Sequence, residues 1–109
     1  DVRESDDLRR AWTLAVQTAD RYRARLGPSH PYTLYARTNL SIVLRLLGRP
    51  DEAHLHNVEA RAGLESALGL THMMVLTCRI NAASDLSALG EHERAYELDA
   101  ETLRRSRDT

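Results

Sequence analysis

Apolar residues recur along the chain at three- and four-residue spacing. Leu8, Ala11, Ala15, Ala19 and Tyr22 form one such series, and Leu40, Leu44 and Leu47 another. That spacing gathers side chains on one face of a helix. No stretch alternates apolar and polar positions as a half-buried strand does, and no Asn-Gly hairpin dipeptide occurs. Gly27, Gly48, Gly69 and Gly90 each follow a leucine that closes an apolar stripe, the place where a left-handed residue ends a helix. Pro31 and Pro50 stand where a new helix would begin, at positions that need no amide donor. Ser29 and Thr71 are the expected N-caps. Asp51, Glu52, Glu91 and Glu93 put negative charge in first turns, in keeping with the helix dipole. The pattern predicts five helices, near 6–25, 31–47, 50–66, 73–89 and 92–106. Their short connections make successive helices antiparallel neighbours.

The chain also repeats itself. Shifted by 42 residues, segment 26–67 falls on segment 68–109 with 11 identities and no gap. Leu26-Gly27 meets Leu68-Gly69, His30 meets His72, Leu34 meets Leu76, Arg37 meets Arg79 and Asn39 meets Asn81. Leu44 then meets Leu86, Leu47-Gly48 meets Leu89-Gly90, Ala53 meets Ala95 and Glu59 meets Glu101. The same shift places Ala11 on Ala53 and Val16 on Val58, so residues 1–25 read as the second half of an earlier unit. A helix pair leaves one apolar face uncovered, and stacking on the next pair covers it. The expected fold is all-α, an α-solenoid of antiparallel helix pairs. It forms a single repeat domain over 1–109, with a partial unit 1–25 and full units 26–67 and 68–109.

Composition narrows the function. The 15 basic residues, all arginine, face 16 acidic ones, for a formal net charge of −1. That balance gives no electrostatic footprint for nucleic acid or an anionic membrane. No apolar run approaches the ~18 residues a membrane span needs. The single cysteine, Cys78, cannot form an internal disulfide and fits a reducing cytoplasm. No signal peptide is visible, and a chain that begins at Asp1 reads as a piece of a longer protein.

Catalytic and metal chemistry find little support. His54 and His56 are two apart on a helix and point to different sides. His30 and His72 lie in equivalent loops one repeat apart, too far to share a zinc, and read as loop and cap residues. Cys78 has no histidine at a helical spacing that would activate it. No phosphate-binding glycine loop, serine elbow or HExxH occurs. A non-enzymatic chain without cofactor or metal is expected. Trp12 and Tyr22 are expected to pack inward on the next unit, and Met73-Met74 to form an apolar helix entry.

The segment Leu26-Gly-Pro-Ser-His-Pro-Tyr-Thr-Leu34, followed by Asn39-Leu40, Leu47-Gly48 and Asp51-Glu52-Ala53, resembles the 42-residue tetratricopeptide repeat of kinesin light chains. It is more similar still to bacterial repeat proteins, common in actinobacteria, whose arrays often follow a signalling NTPase domain. The stretch Glu97-Leu-Asp-Ala-Glu-Thr-Leu103-Arg-Arg resembles those in particular. The resemblance spans nearly the whole chain and implies a right-handed superhelical stack. The family's small second-helix residue falls on Ala53 and Ala95 and its turn glycine on Gly48 and Gly90, but Arg37 and Arg79 replace a large residue expected inside the first helix.

In that family the first helix of each pair lines a concave face that binds extended peptides. The resemblance therefore assigns partner contacts to Tyr35, Thr38, Asn39, Ile42 and Arg45, and to Thr77, Ile80, Asn81, Ser84 and Ser87. Asparagine is a poor mid-helix residue because its amide competes for backbone hydrogen bonds. Asn39 and Asn81 would either donate to and accept from a ligand backbone or bond to each other or to a neighbouring repeat. The implied function is a protein- or peptide-binding scaffold. Its alternatives are a sensor or autoinhibitory arm of a signalling NTPase and a substrate-holding subunit of a peptide-modifying system. Only two first helices are present, so the groove is short and self-association through uncovered terminal helices is expected.

Overall fold

Helices form where the punctuation predicts them. This computed structural model describes residues 2–107, with side chains from residue 5 onward. Among these residues the helices are α1 (Val2–Leu26), α2 (Pro31–Leu46), α3 (Pro50–Leu68), α4 (Met73–Ala88) and α5 (His92–Arg107), with no strand. Connections of four residues, 27–30 and 69–72, alternate with connections of three, 47–49 and 89–91.

Each three-residue turn is closed by the same backbone bonds. Arg49 N–H donates to Leu44 O at 2.9 Å and Gly48 N–H to Arg45 O at 3.0 Å, with Glu91 to Leu86 and Gly90 to Ser87 as their counterparts. This is the Schellman closure, and it requires the left-handed φ of 85° at Gly48 and 83° at Gly90. The starts of α2 and α4 differ from expectation. The caps are His30 and His72, not Ser29 and Thr71. Each histidine Nδ1 accepts from the backbone N–H two residues on, at Tyr32 (3.0 Å) and Met74 (3.1 Å). An imidazole acceptor placed two atoms beyond Cβ serves the same orphan amide that a hydroxyl would.

The helices form two layers. α2 packs on α1 and α3, α4 packs on α3 and α5, and α2 also touches α4. No such packing joins α1 to α3 or α3 to α5, so clefts separate the outer helices. The 19 Å short dimension of the molecule corresponds to two helix layers. Leu40, Leu44 and Ala53 form a core with Trp12, Ala15, Val16 and Ala19 of α1 packed against it. Leu34, Ala60, Leu64, Val75 and Cys78 form the next, joining α2, α3 and α4. A third unites Ala83, Leu86 and Ala95. Trp12 thus packs inward as predicted. Tyr22 stays exposed and meets Tyr32 edge-on with ring centres 6.2 Å apart. Gly63 has a packing reason inside α3, since a Cβ there would lie 2.6 Å from Leu34 Cδ1. The result is an all-α helical repeat.

Candidate functional site

The residues assigned to partner contact fall on α2 and α4, the two helices of the inner layer. Asn39 and Ser84 are exposed, Ile80 is 54% exposed, and Ile42, Thr77 and Asn81 are half-buried. Tyr35 is also half-buried, packed against the Leu34–Val75 core. The hydroxyls of Thr77 and Ser84 donate back to the carbonyls of Met73 (2.9 Å) and Ile80 (3.3 Å). Ser87 is exposed, 3.3 Å from His92 Nδ1.

One assignment fails on geometry. Thr38 is fully buried and offers nothing to a partner. Its hydroxyl lies 3.1 Å from Cys78 Sγ and points to Leu34 O at 3.4 Å. Thr38 belongs to the seam where α4 crosses α2, and a helical stripe drawn on α2 alone does not show that seam. Its counterpart Ile80 stays exposed because no further helix covers α4 among the described residues.

Asn39 and Asn81 do not bond to each other. Among the described residues neither carboxamide has a hydrogen-bond partner. Two donor–acceptor groups thus remain unpaired one repeat apart. The face around them is nearly uncharged. Among the described residues assigned to it the one cation is Arg45, which donates from Nη1 to Asp85 Oδ1 at 3.2 Å and to the Asn81 carbonyl at 3.3 Å.

That ion pair belongs to a network invisible in the repeat pattern. Asp85 of α4 and Asn57 of α3 are both fully buried. Asn57 Nδ2 donates to Cys78 O at 3.1 Å and reaches Asp85 Oδ2 at 3.5 Å, while its Oδ1 has no partner. Burial pushes the Asp85 carboxyl above its ordinary range, and Arg45 and Asn57 only partly oppose this. The network ties α2, α3 and α4 together. The 42-residue shift hides it, because Asn57 falls on Asp99 and Asp85 on Val43.

On the opposite side of α2, Arg37 Nη2 donates to Glu59 Oε2 at 2.7 Å and lies 3.0 Å from His56 Nδ1. The hydrogen bond from Arg37 holds the Glu59 carboxyl below its usual range. Burial, reinforced by the Arg37 charge, lowers His56. Burial raises the Cys78 thiol against the Thr38 hydrogen bond. No group of three or more histidine, cysteine, aspartate or glutamate side chains gathers to hold a metal among the described residues. No helix there is long and apolar enough to cross a membrane.

No curated protein matches the chain. Residues 33–72, which run through α2 and α3 to the cap of α4, match the family model of the tetratricopeptide repeat. With the helical-repeat fold, that match supports a tetratricopeptide repeat protein.

Proposed function

We propose that this chain is a non-enzymatic scaffold that binds an extended protein segment across the α2–α4 face, in keeping with tetratricopeptide repeats, which generally serve as protein–protein interaction scaffolds. The unpaired carboxamides of Asn39 and Asn81 carry this reading. Each offers a donor and an acceptor to a peptide backbone, and Tyr35, Ile42, Thr77, Ile80 and Ser84 supply neutral contacts around them. With Arg45 neutralised by Asp85, the face favours uncharged, moderately apolar segments over acidic or basic tails.

The test is selection from a randomised peptide library, followed by affinity measurement. Asn39→Ala and Asn81→Ala should each weaken a selected peptide by about 0.5–1.5 kcal/mol with thermal stability nearly unchanged. Selected peptides indifferent to both substitutions would refute the assignment.

The same reading includes self-association through the α4–α5 end of the stack. One repeat earlier, Thr38, Asn57 and Leu64 lie buried beneath α4, whereas their counterparts Ile80, Asp99 and Ser106 are exposed. Tyr96 (75% exposed) and Leu103 (55%) are further large apolar groups on α5. Light scattering should detect a concentration-dependent dimer that Tyr96→Glu with Leu103→Glu abolishes. A strict monomer at high concentration contradicts it.

A further inference from the structure

The internal repeat provides a comparison at one position, Arg37 in α2 and Arg79 in α4. Both line clefts on the outer side of the stack, Arg37 between α1 and α3 and Arg79 between α3 and α5. Arg37 carries its own counter-ion in Glu59, at 2.7 Å. Arg79 does not. Glu101, the counterpart of Glu59, is held by Arg104 and Arg105 instead. Leu98 stands where the first cleft has His56.

Arg79 is therefore buried, at 7% exposure, with its charge incompletely matched. Its Nε donates to Thr102 Oγ1 at 3.1 Å, but its closest carboxylate oxygen, Glu65 Oε1, lies 3.7 Å from Nη1. The same oxygen is 4.0 Å from Arg61 Nε and 3.9 Å from Arg105 Nη1. One carboxylate thus faces three guanidinium groups and accepts a hydrogen bond from none of them. Arg61 Nη1, Arg105 Nη1 and His54 Nδ1 are buried without any hydrogen-bond partner. Burial lowers the Arg79 pKa, and the charges of Arg105 and Arg61 add to it ahead of the opposing carboxylates.

Buried cations and buried N–H groups without acceptors are costly, and Arg79, Arg61 and His54 line a cleft of about 470 Å³. Glu97 and Glu101 also line the cleft, but the Glu101 charge is matched by Arg104 and Arg105. A tetrahedral oxyanion fits the deficit, because a planar guanidinium fork donates two parallel hydrogen bonds to adjacent oxygens. We propose that the α3–α5 cleft is a binding site for a small inorganic oxyanion of the phosphate or sulfate class, held by Arg79 at its floor and Arg61 on its α3 wall. The site is separate from the α2–α4 face and would brace α3, α4 and α5 against one another.

The experiment is a titration of the full chain with inorganic phosphate, and separately with sulfate, against chloride at constant ionic strength. It is read by thermal melting and by phosphorus NMR line broadening. The expected result is a saturable rise in Tm with half-saturation roughly in the millimolar range. Arg61→Gln should weaken it about tenfold or more, as expected for losing a hydrogen bond between charged groups. Arg79→Gln should abolish it, and Arg37→Gln should leave it intact because Glu59 already satisfies that arginine. Phosphate and sulfate also stabilise proteins generally by exclusion from their surfaces. A gain that does not saturate, or that is equal in wild type and Arg61→Gln, would overturn the proposal. If Arg79→Gln fails to fold, the partly exposed Arg61 still decides the matter.

Discussion

Replacing Asp85 by asparagine should cost little or nothing in stability at neutral pH, although it removes a buried ion pair. The carboxylate is fully buried, 3.2 Å from Arg45 Nη1 and 3.5 Å from Asn57 Nδ2. Burial is the largest influence on its pKa and raises it from 3.8, so desolvation of the charge outweighs the attraction of Arg45. With the folded pKa above the unfolded one, the stability this group confers is complete below about pH 4 and is lost as pH rises through the folded value. Asp85→Asn removes that loss. Its stability relative to wild type should therefore improve as pH rises above about 4, through the raised folded value. Other carboxylates, including Glu59 and Glu101, cancel in the difference.

Arg45→Met should behave in the opposite way, because it strands the buried carboxylate. Its expected cost is about 3 kcal/mol, toward the lower end of the range for a broken buried pair, since Arg45 is 19% exposed. That corresponds to a fall in Tm on the order of 15 °C, against roughly 5 °C or less for Asp85→Asn. The assay is thermal melting followed by far-ultraviolet circular dichroism across the pH range. A Tm loss for Asp85→Asn as large as that for Arg45→Met would refute the reasoning, since the pair would then stabilise more than its burial costs.

Three further outcomes follow from the packing. Leu44→Ala, at a position 1% exposed where α1, α2 and α3 meet, should cost about 3 kcal/mol, measured by urea titration against Leu103→Ala, which should cost under about 0.5 kcal/mol. Gly48→Ala meets no steric obstacle but must hold a φ of 85°, so it should lose about 1 kcal/mol by the same titration. Cys78 is fully buried with a raised thiol pKa, so a thiol reagent at mildly alkaline pH should label it only as denaturant unfolds the chain.

The helices and their stacking were legible because they depend on local signals. Glycine after leucine every 21 residues, proline at two helix starts and the 42-residue shift all mark backbone features, and the backbone obeys them. The caps were misread because histidine is a rare N-cap, and its Nδ1 competes with a neighbouring serine or threonine only through rotamer geometry. The candidate face was read one helix at a time. Asn39 and Ile80 do lie exposed at the open side of α2 and α4. The reading fails for Thr38, whose exposure is decided by a helix 40 residues away. The Arg45–Asp85–Asn57 network was illegible for a related reason. It joins three helices through residues that the repeat does not conserve between its own two units, so no periodicity marks it.

The proposed binding mode lays a peptide across α2 and α4 on the two asparagines. A nuclear magnetic resonance titration of the labelled chain with a library-selected peptide tests it directly. The side-chain amide signals of Asn39 and Asn81 should move together with the backbone signals of Ile42 and Ile80, while the buried Asn57 amide stays fixed. Shifts confined to α3 and α5, with both asparagine side chains unmoved, would contradict it.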